Sequence, residues 1–395
     1  MLSTAIGQSL VITLLPSLGR AAGLSEIQVA SILSSSSVVF ALGASLWSVM
    51  GERWGRRRVL LIGMAGYSLG TLLFSSVFYL GLSGELMGIK LLLALLLARA
   101  LQSSVMSATP PAVLGMTLAI SAADQRVQNV SRVTAANTLG QVLGPTLGGV
   151  LVVFGLLAPL YAIITLTALA WCVLYWKLPQ QVPAQPAPTQ AQPVLPLNTT
   201  PLHSTNSLRG NPGLVYIITA AALFCAIAMV YQSLGFYFMD LLGKTPQQAA
   251  QSAGFAAMTT ALVSFVVQFV LIQRLPLTRQ QLLISGLTAW VMGLLLLAFA
   301  NGEEVIYLAM ALIGLGMGLS YPTATAAAAS SGTQQQQSRN TGLVSAAPAL
   351  GFILGPLLAA LVYPLQPHYP FVSAALLLSG FLLLYGGWRK LFRCP

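Results

Sequence analysis

The chain alternates between long apolar blocks and short polar connections. A helix needs roughly 18 to 25 apolar residues to cross about 30 Å of hydrocarbon at 1.5 Å per residue. Twelve blocks of about that length lie near residues 3–19, 28–50, 59–82, 91–115, 130–152, 159–176, 213–238, 249–272, 281–299, 305–327, 340–363 and 370–387. The pattern therefore predicts about twelve membrane-spanning segments.

These segments are predicted to be helices. A membrane β-barrel needs polar residues at alternate positions, and the blocks lack that alternation. Helices are the other structure that satisfies every backbone polar group in hydrocarbon. The pairs Gly144-Pro145 and Gly355-Pro356 inside blocks also suit packed membrane helices. We expect an all-α membrane protein.

Composition supports this class and changes the expected partner. Hydrophobic residues make up 56% of the chain and charged residues 6%, whereas about a quarter of a soluble domain is charged. The net charge of +11 suggests nucleic acid at first sight. The basic residues, however, are sorted by membrane side, as the positive-inside rule describes. The expected partner is the lipid bilayer, and no nucleic acid is expected.

The charges also predict the orientation. The even-numbered connections and the tail after the last block carry Arg53, Arg56, Arg57, Arg58, Arg126, Arg132, Lys177, Arg209, Arg274, Arg279, Arg339, Arg389, Lys390 and Arg393. The odd-numbered connections carry Arg20, Lys90 and Lys244, with the acids Glu26, Glu85, Asp240, Glu303 and Glu304 near the same face. By the positive-inside rule, we expect a multi-pass protein of the bacterial inner (plasma) membrane with both termini in the cytoplasm.

The beginning of the chain is predicted to be the first spanning helix. A signal peptide would need a basic segment before the apolar block and a cleavage segment after it, and neither is present. The block is short at its cytoplasmic end, which a start codon further upstream would explain. Cys172, Cys225 and Cys394 are too few and too scattered for a disulfide framework or a metal site. No metal or other cofactor is expected.

Between residues 179 and 212 the chain is rich in Pro, Gln, Ala and Thr and has little to bury. Such a composition predicts a disordered linker, here on the cytoplasmic side. It separates two halves, residues 1–178 and 213–395, with six blocks each.

The two halves are predicted to be copies of one another. The segment NVSRVTAANTLGQVLGPTLGG from Asn129 aligns without a gap with NTGLVSAAPALGFILGPLLAA from Asn340. Each half starts from the same side of the membrane, so the repeats are parallel. Two such halves around a central cavity suit alternating access.

Three segments have a characteristic spacing: GERWGRRR from Gly51, LLLARALQSS from Leu95 and GQVLGPTLGG from Gly140. They resemble motifs A, B and C of the major facilitator superfamily, and within it the drug:proton antiporter branch of multidrug and siderophore exporters. The resemblance covers nearly the entire chain. It implies two pseudo-symmetric six-helix bundles, a small-molecule substrate, protons as the coupling ion and a monomer.

The segment similar to motif A matches at Glu52, Arg53, Gly55, Arg56 and Arg57, with Glu52 where the family usually has Asp and Ser48 where it has Gly. A basic loop that sets topology would explain the arginines but not the acid and the glycine. The resemblance implies a gate at the inner face, with the acid beside the start of the eleventh helix. We expect that start at residues 338–341, where the helix macrodipole would stabilise a carboxylate.

The segment similar to motif B contains Arg99 and Gln102, with Ser103 where Gly is usual. Arg99 lies inside a spanning block, where an unpaired charge costs several kcal/mol. Its side chain could instead extend to the outer interface. We expect a role in transport for Arg99 and Gln102.

The segment similar to motif C matches at Gly140, Gly144, Pro145, Gly148 and Gly149. Small residues four apart allow close helix packing, and the proline bends a helix. Other polar side chains inside blocks are candidate cavity residues, or else form interhelical hydrogen bonds. They are Gln8, Asn137, Gln141, Tyr231, Gln232 and Tyr321.

No Asp or Glu falls in the middle of a block. An antiporter of cationic drugs commonly uses a buried carboxylate to exchange proton for cation. The nearest candidate proton sites are Asp240 and Glu26, at outer block ends. A cavity with Arg99 but no acid should prefer neutral or anionic substrates.

Three functions remain open on the sequence alone. The first is secondary active export of a small organic molecule by proton antiport. The second is export of an organic anion, such as a carboxylate siderophore, without coupling through an intramembrane carboxylate; Arg99 would pair with the anion. The third is a receptor or scaffold with a transporter fold, and an enzyme is not expected.

Overall fold

The computed structural model describes residues 1–178, 211–274 and 277–391, and this part of the chain is helical, without β-strands. All but the last two residues of the predicted linker, 179–212, lie outside the described residues. The helices are α1 (Leu2–Ala21), α2 (Glu26–Trp54), α3 (Arg56–Leu82), α4 (Gly88–Met106), α5 (Thr109–Ile120), α6 (Arg126–Leu151), α7 (Ala158–Lys177), α8 (Leu214–Leu242), α9 (Pro246–Val266), α10 (Ile272–Arg274), α11 (Arg279–Ala298), α12 (Glu303–Ala329), α13 (Gln334–Val362) and α14 (Tyr369–Leu391).

Eleven helical segments of the described ranges are long and apolar enough to cross a bilayer, and a twelfth apolar segment, Tyr369–Tyr385, is shorter. They coincide with the twelve sequence blocks. The predicted class, an all-α membrane protein of about twelve helices, is confirmed.

Two of the spans contain an interruption. The fourth is divided into α4 and α5, because Pro110 and Pro111 in the first turn of α5 have no N–H to donate. The eighth continues from α9 through a π-helical turn, Val267–Leu271, into α10. Apolar blocks alone do not reveal such local changes of helix type.

Helix α13 begins earlier than the sequence suggested. The expected start at residues 338–341 is wrong, because α13 begins at Gln334. Thr333 accepts a hydrogen bond from the Gln336 backbone N–H, and the Gln336 side chain accepts one from the Thr333 N–H at 2.9 Å. This reciprocal capping box satisfies two backbone donors and fixes the helix start.

Spatial proximity groups the chain into two compact units. The first comprises Met1–Ala191 and Leu234–Phe255, and the second comprises Gln192–Ser233 and Ala256–Pro395. The end of α8 and the start of α9 therefore pack with the first unit, although they follow the linker. The predicted halves were drawn from the internal repeat, a different criterion, and stay a prediction.

Within each unit, equivalent glycines lie where two helices approach closely. In the first unit, a Cβ at Gly140 of α6 would lie 2.6 Å from the Ala5 Cβ of α1. In the second unit, a Cβ at Gly351 of α13 would lie 2.7 Å from the Cys225 backbone nitrogen of α8. Gly140 and Gly351 are aligned in the sequence repeat, so an equivalent close helix contact occurs in each unit.

Candidate functional site

Arg99 is held between α4 and α3. Its side chain is buried, with the residue 3% exposed. One guanidinium nitrogen donates to the Gln102 Oε1, and the Gln102 Nε2 donates to the Thr71 Oγ1 at 2.6 Å. The guanidinium also lies over the Phe74 ring, 5.5 Å from its centroid. An amide and an aromatic face thus surround the charge directly.

Within the described residues, no carboxylate neutralises this charge. In the described part of the chain the ion pairs are those of Arg20, and Arg99 forms none. The Nε of Arg99 is buried and has no hydrogen-bond partner among the described residues. A buried guanidinium with an unused N–H can donate a hydrogen bond to a ligand or to water.

Tyr67, Thr71 and Phe74 belong to this site and were not identified from the sequence. They lie on α3 at positions i, i+4 and i+7, which share one helix face. The Thr71 hydroxyl donates to the Tyr67 carbonyl oxygen at 2.7 Å. The Tyr67 hydroxyl is buried beside Gly7 of α1. The i, i+4 spacing of Tyr67 and Thr71 in block 3 was the available signal.

The other candidate cavity residues of the first unit lie on α1 and α6. Gln8 and Asn137 are half-buried, and Gln141 is exposed, one turn after Asn137. The structure brings Arg99 and Gln102 into contact, whereas these three amides lie on other helices.

The candidates of the second unit lie on α8 and α12. Gln232 is buried, whereas Tyr231 and Tyr321 are half-buried. The Tyr321 ring packs edge-on against Phe224, with 4.9 Å between the ring centroids. Their predicted contact with substrate remains a prediction.

The motif A residues lie at the α2–α3 connection. Gly55 separates the two helices with φ of +89°, a left-handed value that favours glycine. Glu52 and Arg53 are exposed, and Arg56 donates to the Gly115 carbonyl oxygen of α5. This connection is therefore tied to α5 through one arginine.

Arg57 binds the end of α7. It donates to the carbonyl oxygens of Tyr175, at 2.9 Å, and Leu178, at 3.3 Å. These are among the last carbonyls of the helix, which have no partner within it and carry the negative end of its dipole. A cation here stabilises the helix end just before the linker.

The motif C residues line two helix contacts of the first unit. Gly144 faces Ser9 and the Ile6 carbonyl of α1, and Gly148 lies near Leu10. On α9, a Cβ at Gly254 would lie 2.7 Å from the Gly149 Cα. Pro145 is close to the same point, since its carbonyl oxygen would lie 2.8 Å from that Cβ.

The two candidate proton sites lie together. One Arg20 nitrogen lies 2.7 Å from the Glu26 Oε1 and 3.0 Å from the Asp240 Oδ2. Arg20 was not among the predicted site residues, although it is one of few basic residues in the odd-numbered connections. Nearby in the chain, burial lowers the pKa of the Lys244 ammonium, which donates to the Ser252 hydroxyl at 2.6 Å.

Comparison with known proteins decides the family. The sequence profile of the Major Facilitator Superfamily matches residues 1–356 and, again, 270–391. The chain belongs to the major facilitator superfamily. Membership of this superfamily makes the protein a membrane transporter of small molecules and not an enzyme, and it confirms the resemblance found in the motifs.

Among curated relatives, this superfamily member is 23% identical to Multidrug resistance protein 2 of Bacillus subtilis (strain 168), over 96% of the chain and 90% of that protein. Among solved structures, it is similar to the nucleoside transporter NupG (TM-score 0.73, 14% identity, 100% and 97% coverage). It is also similar to the human organic anion transporter MFSD10 (TM-score 0.60, 19% identity, 97% and 96% coverage). At these identities the structural similarities show the fold alone.

Proposed function

We propose that the protein exports a small organic molecule across the plasma membrane in exchange for protons, by alternating access. The observation that carries the proposed direction is the full-length similarity to a multidrug resistance protein. The motif C pattern of the antiporter branch, with Gly140, Gly144 and Pro145 at the α1–α6 contact, supports the same direction. The proposed orientation, with both termini in the cytoplasm of an inner membrane, rests on the positive-inside rule.

The substrate is proposed to bind among polar side chains inside the spans. Arg99 and Gln102 provide a cation and an amide, and Gln8, Asn137 and Gln141 provide further hydrogen-bonding groups. Tyr231, Gln232 and Tyr321 are the proposed contacts of the second unit. A few placed polar groups in an otherwise apolar pocket give orientation and selectivity.

Proton coupling in this protein needs a route without a mid-membrane carboxylate. All seven acids lie at helix ends or in connections: Glu26, Glu52, Glu85, Asp124, Asp240, Glu303 and Glu304. We therefore propose that proton movement is coupled to transport either through ionisation of the substrate itself or through ordered water between Arg99, Gln102 and Tyr67. In both routes the permanent positive charge of Arg99 stabilises an anionic form of the substrate.

A second candidate is export of an organic anion, such as a carboxylate siderophore. It is favoured by Arg99, whose buried guanidinium lacks a carboxylate partner in the described chain. The planar guanidinium can bind a carboxylate through two parallel hydrogen bonds.

The test uses everted membrane vesicles that contain the protein. A pH gradient is imposed, acid inside, and uptake of matched cationic, neutral and anionic compounds is measured. We expect uptake of neutral or anionic compounds that stops when a protonophore collapses the gradient. Vesicles without the protein are the control. Uptake that persists after collapse would contradict antiport, and selective uptake of cations would contradict the assigned role of Arg99.

A further inference from the structure

Arg20 connects three helix ends within the first unit. It lies in the last turn of α1, Glu26 begins α2, and Asp240 lies near the end of α8. Arg20 contacts both carboxylates and also lies over the Phe236 ring of α8, 4.9 Å from its centroid. One cation thus joins the α1–α2 connection to a segment more than two hundred residues away in the chain.

The segment joined in this way is Leu234–Phe255, which packs with the first unit although the rest of α8, residues 214–233, belongs to the second. Two further contacts hold it. The Gln247 Nε2 donates to the carbonyl oxygens of Val152, at 2.9 Å, and Val153, at 3.0 Å, just after α6. A Cβ at Gly235 would lie 2.8 Å from the Ser17 Oγ of α1.

The chemistry of these contacts suits reversible association. The side chains of Arg20 and Asp240 are about one-third exposed, 36% and 33%. Ion pairs of such exposure contribute about 0.2–1 kcal/mol, and the amide bonds of Gln247 can be exchanged for water. Glycine contacts require no side-chain rearrangement on separation. The segment also contains large buried apolar side chains, among them Phe236 and Phe238, so the ion pairs supply only the part of the attachment that a change of charge can weaken.

We propose that Arg20, Glu26 and Asp240 form an outer lock, which holds the segment Leu234–Phe255 against α1 and the end of α6 in this state. The lock opens when the transporter exposes its cavity to the outside. This assignment rests on the orientation in the proposed function, in which these helix ends face outward. In this proposal Glu26 and Asp240 hold helix ends together and do not carry the coupling proton.

The position of the carboxylates argues against a coupling site. A proton that drives antiport must bind from one side and leave to the other. Glu26 and Asp240 lie at helix ends on one face and bind the same arginine. The other charged group near in sequence, Lys244, is bound to Ser252 and lies over the Phe238 ring.

The outer lock predicts different effects for substitutions of its two acids. Asp240→Asn removes the ion pair between Arg20 and the segment and leaves the Arg20–Glu26 pair. Glu26→Gln removes the partner within the α1–α2 connection and leaves the Arg20–Asp240 pair. Opening should therefore become easier in Asp240→Asn and Arg20→Gln, but not in Glu26→Gln.

Opening can be measured at Ser17, which is fully buried beside Gly235. A Ser17→Cys reporter is placed in a background with Cys172, Cys225 and Cys394 replaced by alanine. A membrane-impermeant thiol reagent is then added outside intact cells. Asp240→Asn and Arg20→Gln should raise the labelling rate about two- to fivefold, the range expected for loss of a partly exposed ion pair.

Two controls separate the lock from other effects. Glu85→Gln removes an exposed acid from another connection predicted to face outward, and it should leave the rate unchanged. The charge exchange Arg20→Asp with Asp240→Arg should return the rate toward that of the parent. The amount of each variant in the membrane corrects for folding.

Unchanged labelling in Asp240→Asn and Arg20→Gln would overturn the lock, as would equal acceleration in Glu85→Gln. Labelling of Ser17→Cys only from the cytoplasmic side would overturn its assignment to the outer face. The assay needs neither substrate nor gradient. Failure of proton-driven export would therefore leave a labelling response intact, and failure of the lock would leave export measured in vesicles intact.

Discussion

At the scale of single residues, Arg99 combines a permanent charge with burial and a network of neutral partners. The site depends on Gln102 and Thr71 for hydrogen bonds and on Phe74 for an aromatic face. Each of these partners orients the guanidinium without cancelling its charge. We propose that this charge binds an anionic group of the substrate.

Substitutions of Arg99 test whether its charge binds an anionic substrate. Arg99→Lys keeps the charge but loses the planar fork, so affinity for an anionic substrate should fall about tenfold with some transport left. Arg99→Gln should lose nearly all recognition of anions and spare neutral substrates. If both variants instead lose proton dependence with unchanged affinity, the residue acts on a proton path through Gln102 and water. Affinity and proton dependence of uptake are measured for both variants.

The buried residue Asn340 is predicted to contribute to the stability of the fold. It forms a reciprocal amide pair with Asn211, at 2.6 and 3.2 Å, and donates to the Ala328 and Ser331 carbonyl oxygens. Asn340→Ala should cost about 1–3 kcal/mol, because buried carbonyl and amide groups lose their partner. Thermal unfolding in detergent measures the loss.

The matched control is Asn129, the equivalent residue of the first half. Its side chain donates to the Ser121 hydroxyl at 2.8 Å and is the acceptor for Arg132 at 3.3 Å. Since Asn129 is only half-buried, whereas Asn340 is fully buried, Asn129→Ala should lower the melting temperature less than Asn340→Ala. An equal loss would contradict the buried-pair explanation.

At the scale of helices, the glycines of α6 determine how closely it packs on α1. Gly144→Ala would place a Cβ against Ser9 and the Ile6 carbonyl, a clash that should cost about 1–3 kcal/mol. Gly148→Ala places its Cβ 3.4 Å from the Leu10 Cγ and should be tolerated. Melting temperature and transport should both fall in the first variant only. If both variants lost melting temperature and transport equally, the close approach of α6 to α1 at Gly144 would not explain the loss.

The α2–α3 connection allows a prediction about gating. Gly55 has φ of +89° and nothing near its Cβ position, so a bulky residue there strains the backbone rather than the packing. We expect Gly55→Leu and Glu52→Lys to reduce transport more than membrane abundance, since the connection must engage in only one of two states. Transport per molecule of protein is the measurement. Parallel loss of abundance and activity would assign the connection to folding.

At the scale of the whole molecule, the orientation is the broadest prediction. The arginines of the α2–α3 connection and the basic residues of the tail predict cytoplasmic termini. Reporter fusions after Leu82 and Pro395 should give an external and a cytoplasmic signal, respectively. An external signal from the fusion after Pro395 would contradict the orientation and the outer placement of the lock.

Much of the fold was predictable from the chain alone. The twelve blocks agree with the observed helices to within a few residues, because hydrocarbon thickness fixes the length of a span. Helix starts were less predictable: α13 begins at Gln334 because of a capping box, a local hydrogen-bond pattern that hydropathy does not report. The family followed from motif spacing, which sequence preserves directly.

The candidate site was only partly predictable. Arg99 and Gln102 were identified because polar residues are costly inside a span. Tyr67, Thr71 and Phe74 were missed, since their role depends on which face of α3 meets α4. Arg20 was missed as the common partner of Glu26 and Asp240, because that contact joins residues 220 positions apart.

The sequence by itself determined the class and the approximate helix positions, because both follow from the local cost of placing polar groups in hydrocarbon. It also predicts the orientation, from the distribution of basic residues, and the internal repeat, from the alignment of its two halves. Tertiary structure alone decided what surrounds Arg99 and which carboxylates share Arg20. Those contacts depend on the packing of distant segments, which brings side chains together only when the helix faces are in register.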